Sequence, residues 1–286
     1  MKKWEIFENN AAEYISKVCK ESNLGVTVTQ GGGANSNEAD IIIKKDGSVV
    51  FTIESKLSPS QGGQFVIVNS GSFYTFSTGN KLDCSYQSAQ DIISYLNTNY
   101  SKFNNVVQSA INIECLSGTL ISWVINHYKA KESKFVITST KPDGNMILIP
   151  IDSLGIYFDI TACLRRKKSG SAHLPRMDFQ RAEGELKVYL RRIGNGIREF
   201  KMEGNKAVVT LNKSVDLAKG QCYLGTDLFL SKQSSTKYCI KKRSSTNNET
   251  VVFSLRYTGE DKEQGKELLV QEIRNRLTEM EQVGRI

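Results

Sequence analysis

Glu54-Ser55-Lys56 closes a run, Val49-Val50-Phe51-Thr52-Ile53, composed like a buried β-strand, and Asp40 stands fourteen positions before Glu54. Between them lie Ile41-Ile42-Ile43 and the turn signal Lys44-Lys45-Asp46-Gly47-Ser48. Asp-Gly between apolar runs favours a tight hairpin, because glycine accepts the positive φ that such turns require. Strand side chains alternate faces, so Glu54 and Lys56 project to the same side. A hairpin would bring Asp40 alongside them. Two carboxylates and an ammonium in one pocket suit phosphodiester hydrolysis, which needs charge neutralised on a phosphate oxygen and water activated in line with the leaving group. Mg²⁺ does the first through oxygen ligands, usually one or two carboxylates plus waters and substrate phosphate. Asp40 and Glu54 are the candidate metal-binding carboxylates, and the Ser55 carbonyl is a candidate third oxygen. Lys56 would position or deprotonate the attacking water, or stabilise the pentavalent charge. The plain alternative is a solvated, inert charge at each strand end.

The elements around this segment read as an α/β core. Trp4, Phe7, Ala11, Tyr14, Ile15 and Val18 recur at helical spacing and predict an amphipathic helix over 3–21. Strands are expected at 25–29, 40–44 and 49–56, then a loop containing Gln61, Gly62, Gly63 and Gln64, then a short strand at 65–68. Ser88 with Asp91 reads as a capping pair ahead of a helix over 89–100, and a second helix is expected over 118–131. Residues 135–138 and 146–149, joined by Pro142-Asp143-Gly144-Asn145, read as a hairpin, and Ile160–Leu164 as one more strand. Downstream, 206–211, 221–230, 236–241 and 250–257 read as short strands, and Leu268, Leu269, Ile273, Leu277 and Met280 mark a final helix. Residues 1–174 are therefore expected to form the core with a basic loop, and 175–286 a basic, strand-rich segment ending in a helix.

Charge is concentrated. The 286 residues carry Lys+Arg 38 against Asp+Glu 30, a net +8, and the pI is near 9.1. Between Arg165 and Arg198 stand ten basic residues against only Asp178, Glu183 and Glu185, which reads as an electrostatic footprint for phosphates. Six cysteines at 19, 84, 115, 163, 222 and 239 form no C-x-x-C pair. They argue against zinc and against a disulfide scaffold. Gly31-Gly32-Gly33 lacks the Gly-Lys-Ser/Thr ending of a phosphate-binding loop, and two histidines leave no basis for a His-metal nuclease. With no signal peptide or membrane-length apolar run, a cytoplasmic protein is expected.

Double-stranded DNA is the partner these features fit. Guanine is read in the major groove mainly by Arg or Lys, and cytosine by an acceptor. Arg165, Lys167, Lys168, Ser169, Ser171 and His173 form a donor-rich stretch suited to that reading, though phosphates usually take more than half of protein–DNA hydrogen bonds. Arg191 and Arg192 are candidate phosphate contacts. Gln61 would contact DNA near the cut, and Gln64 would brace the metal site. His127, late in its helix, reads as structural.

Several stretches together resemble type II restriction endonucleases of the PD-(D/E)xK fold. They are Trp4…Phe7-Glu8, Asp40-Ile41, Ile53-Glu54-x-Lys56, Ser60-Gln61-x-Gly63-Gln64-Phe65-Val66, Trp123…Tyr128, Lys134-Phe135…Ile137-Thr138-Ser139, Tyr157-Phe158 and Arg165-x-Lys167-Lys168-Ser169-Gly170-Ser171-x-His173-Leu174. The likeness spans residues 4–174 and is thin beyond. Ala39 stands where the family name has proline. The resemblance implies a mixed central sheet flanked by helices, Mg²⁺-dependent cleavage of duplex DNA at a short, GCGC-like site, and catalysis by Asp40, Glu54 and Lys56. It also implies an added acid from the first helix, where Glu8 is the matching position, and a cognate DNA methyltransferase as functional partner. One or two protomers on the duplex both fit the sequence. A structure-specific nuclease using the same residues, and a DNA-binding protein with a silent core, are the rival readings.

Overall fold

The computed structural model describes residues 2–31, 39–77, 85–104, 110–114, 117–168, 171–204, 206–217, 221–225, 227–243 and 247–283. Two compact units emerge, Met1–Arg166 with Glu249–Ile286, and Lys167–Asn248. This differs from the division expected at 174/175. The boundary falls inside the basic stretch, and the last strand and helix return to the first unit.

In the first unit, α1 (Lys3–Glu21) precedes β1 (Thr27–Gln30), β2 (Ile41–Lys45), β3 (Ser48–Leu57), β4 (Ser60–Asn69), β5 (Tyr74–Phe76), α2 (Gln87–Thr98), α3 (Tyr100–Phe103), β6 (Ile111–Ile113), α4 (Ser117–Lys129), β7 (Ser133–Ser139), β8 (Ile147–Pro150), α5 (Leu154–Tyr157) and β9 (Phe158–Lys168). One sheet runs β1-β2-β3-β7-β8, with only the β3–β7 pair parallel. Period-two alternation decides which side of it each residue faces. Ile41, Ile43, Phe51, Ile53, Phe135, Ile137 and Leu148 pack against α1, through Phe7, Ala11, Ile15 and Val18, and against Leu269 and Ile273 of the C-terminal helix. Val136, Ile147 and Ile149 face a second core with Trp123, Val124 and Tyr128 of α4. Each large apolar side chain buried this way contributes roughly 1.5–3 kcal/mol.

The β2–β3 turn forms as Asp46-Gly47 predicts, with φ of 50° and 86° at those two residues, the double positive φ of a tight hairpin. Gln61 to Gln64 lie in β4 rather than in a loop. Their strand is fixed by pairing with a partner far along the chain, which local composition does not reveal. Tyr86, not Ser88, occupies the cap position of α2, and Ser88 is buried inside the helix.

The second unit contains β10 (Ser171–His173), α6 (Phe179–Arg192), β11 (Ile197–Glu203), β12 (Lys206–Leu211), β13 (Gln221–Tyr223), β14 (Leu228–Lys232) and β15 (Lys237–Arg243). Its sheet runs β11-β12-β15-β14-β13, with β10 also on β15. Where a loop from Arg165 to His173 was expected, Arg165–Lys168 belong to β9 and Ser171–His173 to β10, and residues 169–170 lie outside the described residues. Helix α6 was hidden by its charge. Ala182, Leu186 and Leu190, four residues apart, face Val209, Leu230 and Ile240, while Glu183 and Lys187 pair on the outside at 2.6 Å.

The chain then re-enters the first unit as β16 (Asn247–Tyr257) and α7 (Lys266–Val283). A second sheet there runs β5-β4-β16-β9-β6. Trp123 stacks on Phe253 of β16 with ring centroids 3.9 Å apart, and on His127 at 4.9 Å, which gives His127 the structural place expected for it. Gly63 fits under this stack at φ 149°, where a Cβ would lie 2.8 Å from the fully buried Trp123 ring. Gly63→Ala should therefore destabilise the protein by roughly 1–3 kcal/mol, read as a lower Tm in thermal denaturation. An unchanged Tm would show that the Trp123 stack can yield.

Candidate active site

The register of the β2–β3 hairpin builds the site. Ile41 lies opposite Ile53, so Asp40, one residue earlier, arrives at Glu54-Ser55-Lys56. Its Oδ2 accepts the Ser55 N–H at 2.8 Å and the Lys56 ammonium at 2.7 Å. The same ammonium lies 2.8 Å from Oε2 of Glu54. β7 braces the strand from its other edge, where the Thr138 hydroxyl donates to the Lys56 carbonyl at 2.6 Å. Glu54 is only 1 % exposed and Asp40 is 17 % exposed, so the cluster opens to solvent on the Asp40 side.

A second lysine completes it. The Lys131 ammonium, in the turn between α4 and β7, donates to Oε1 of Glu54 at 3.1 Å. Both ammoniums lie over the buried Tyr128 ring, 5.9 Å and 5.8 Å from its centroid, which favours cations over its face. Burial alone would push the Glu54 carboxyl up; Lys56 and Lys131 more than offset it and hold the group below the usual carboxylate range. Burial would likewise pull the Lys56 ammonium down, but Glu54 and Asp40 outweigh it and keep it protonated. Sequence reasoning missed Lys131 and Tyr128 as members of the cluster. Tyr128 stood among the matched residues, but no spacing rule links position 131 to position 54, because the parallel β3–β7 pairing joins them.

Glu8, on α1, lies within electrostatic reach of the cluster. Burial, then Asp40, pushes its carboxyl up to about 7, against a smaller opposing pull from Lys56. Among the described residues no three His, Cys, Asp or Glu form a ready metal cage. The two carboxylates, Asp40 and Glu54, are hard oxygen ligands of the kind Mg²⁺ takes while keeping several waters. A cation already occupies the space between these carboxylates, namely the Lys56 ammonium. A cleft of about 570 Å³ lined by Val49, Lys129, Ser133 and Arg276 includes none of Asp40, Glu54 and Lys56. The chemistry-bearing cluster lies apart from that cavity.

The other candidates are dispersed. The Gln64 amide oxygen accepts from Gln61 at 3.1 Å, so these two β4 residues pair with each other. Arg165 lies half-buried near the end of β9, and its neighbour Arg166 is bound to the buried Glu249 at 3.1 Å. His173 is exposed on β10, opposite Lys241. The side chains of Lys167, Lys168 and Ser171 fall outside what the structure describes, as does Ser169 altogether. Arg191 and Arg192 are exposed in the last turn of α6, where cations also suit the helix dipole. Arg181 is engaged internally with Asp178, Glu185 and Asp227, so the basic stretch presents less free charge than its composition suggests.

A search of solved structures returns HhaI endonuclease in complex with DNA, with TM-score 0.70 and 25 % sequence identity over 97 % of this chain and 98 % of that one. The two share a mixed α/β fold. No family model and no curated protein matches the chain. The likeness to HhaI endonuclease covers nearly the whole chain, so it extends well beyond residue 174, where resemblance at the level of short motifs fades. Among the described residues no helix is long and apolar enough to cross a membrane.

The raised Glu8 carboxyl gives a pH test. A carboxyl held higher in the folded than in the unfolded state favours folding at low pH, and that contribution is lost as pH rises from about 4.5 through about 7. Melting the wild-type and Glu8→Gln proteins across this range should show the wild type losing stability relative to the variant as pH rises. Parallel curves would remove Glu8 from the electrostatics of the cluster.

Proposed function

We propose that this protein is a type II restriction endonuclease of PD-(D/E)xK type, which hydrolyses phosphodiester bonds of duplex DNA at a short specific site with Mg²⁺. The observation that carries this is the Asp40–Lys56–Glu54 cluster, set in a fold shared with HhaI endonuclease. Asp40 and Glu54 would hold the ion with the Ser55 carbonyl, with Glu8 as an added acid. Bound there, Mg²⁺ would supply charge neutralisation at the phosphate and polarisation of water.

The protein's own residues set the rest. The Ser55 N–H fixes the Asp40 carboxylate. Lys56 is held protonated by its two carboxylates. With the ion bound, Lys56 would position or deprotonate the attacking water, or stabilise the charge that grows on the phosphate. The basic residues from Arg165 to His173 would read base edges, and Arg191 and Arg192 would anchor phosphates. The cognate site would be short, with a GCGC-like sequence as one candidate, and a cognate DNA methyltransferase would be the functional partner.

Two experiments check this. Plasmid DNA incubated with protein and Mg²⁺ should give discrete bands. Asp40→Ala, Glu54→Ala and Lys56→Ala should each lower cleavage by about a thousandfold or more, the scale for removing a metal or transition-state partner, while gel-shift affinity for the duplex stays within a few-fold. Near-normal cutting by Asp40→Ala would refute the assignment. A smear, or cutting confined to junctions, would favour a structure-specific nuclease, and a gel shift without cutting a silent DNA-binding protein.

For recognition, Arg165→Ala, Lys167→Ala, Lys168→Ala and His173→Ala are compared on cognate and single-mismatch duplexes. Loss of a base-edge contact should reduce discrimination by about ten-fold, since each is worth roughly 1–3 kcal/mol. Equal loss on both duplexes would reduce the segment to backbone anchoring.

A further inference from the structure

Lys131 is the cluster member that the proposed chemistry leaves without a role. Its side chain is only 10 % exposed and its ammonium is bonded to a carboxylate that is 1 % exposed. It is not a surface ion pair, and a charge is rarely buried without a partner or a task. The chain holds it in place deliberately. Its N–H donates to the Tyr128 carbonyl at 3.0 Å, and its carbonyl accepts the Thr52 hydroxyl of β3 at 2.8 Å. The next residue, Glu132, takes a left-handed φ of 58°, an uncommon and mildly costly conformation outside glycine, and its carbonyl accepts the Thr52 N–H at 3.1 Å. The turn that ends α4 is thus tied to the same strand that carries Glu54.

We propose that Lys131 is a positioning residue: it holds Oε1 of Glu54, which leaves Oε2 facing Lys56 and Asp40, and it restrains the affinity of that carboxylate for a divalent cation. This rests on the endonuclease reading for its catalytic consequence, not for its effect on cation binding. The two oxygens of Glu54 have different partners, Lys131 on Oε1 and Lys56 on Oε2. A cation entering between Glu54 and Asp40 would replace Lys56, the ammonium that bridges them, and Lys131 would stay. The carboxylate would then keep one orientation through the exchange, with a fixed positive charge behind it.

Lys131→Met removes the charge and keeps much of the chain's bulk. Mn²⁺ serves as the probe ion, titrated by calorimetry into DNA-free protein. The Met variant should bind Mn²⁺ at least about three-fold more tightly, because a like charge a few ångström from the ion is gone. On a plasmid cut by the wild type its kcat should fall about ten-fold or more as Glu54 loses its orientation, with KM for DNA within about two-fold, since Lys131 lies behind the carboxylate. Lys131→Arg keeps a donor and a charge and should restore both values towards wild type. Should the Met protein fail to melt cooperatively, Lys131→Gln takes its place with the same expectations. Mn²⁺ affinity unchanged or weaker in the folded uncharged variant would overturn the proposal, as would an unchanged kcat. A wild-type protein that cuts no duplex refutes the endonuclease reading instead, and the calorimetric comparison then decides the role of Lys131 alone.

Discussion

Glu54 sits almost completely out of water, and a buried carboxylate is tolerated only when its charge is matched and its oxygens are bonded. Lys131 donates to Oε1, and the Lys56 ammonium stands 2.8 Å from Oε2 as its counter-charge, although Oε2 accepts no hydrogen bond of good geometry. Lys56 is shared with Asp40, and Asp40 is held by the Ser55 N–H. Remove any member and the remaining charges are left unbalanced in a low-dielectric space. The surrounding structure can be understood as what this arrangement needs: a tight hairpin to deliver Asp40, a parallel strand to deliver Lys131, and the Tyr128 ring beneath both ammoniums. Two carboxylates and two ammoniums balance one another within the cluster.

The parts of this that were legible in the sequence are those encoded locally. Asp46-Gly47 announced the hairpin, and period-two alternation put Glu54 and Lys56 on one face, which together predicted the Asp40 contact. Helical spacing gave α1, α4 and α7 to within a few residues. What composition hid came from distant pairing or from charge. The pairing of β4 with β16 brings residues 60–69 against 247–257, so the expected Gln61–Gln64 loop is a strand and the C-terminal segment belongs to the first unit. Helix α6 carries so many charges that its Ala182-Leu186-Leu190 stripe was overlooked. Lys131 had no signal at all, because only the β3–β7 register connects it with Glu54.

Charge concentration proved a coarser guide than charge placement. The stretch from Arg165 to Arg198 holds most of the net positive charge, yet Arg166 serves a buried glutamate and Arg181 a group of acids within its own unit, while Arg191 and Arg192 stay exposed. The stretch therefore presents less free positive charge than its composition suggests. The same caution applies to cavities, since the cleft beside Val49 and Arg276 excludes the cluster. The cluster meets solvent at the partly exposed Asp40 edge.

We read the Asp40–Glu54 cluster as a cation centre whose place is held by Lys56. An anomalous difference map from crystals soaked in Mn²⁺ puts this to the test. A peak should lie between the Asp40 and Glu54 carboxylates, with the Lys56 ammonium displaced and Lys131 still on Oε1 of Glu54. A map with no peak there, both carboxylates remaining on Lys56 while manganese binds elsewhere, would contradict it.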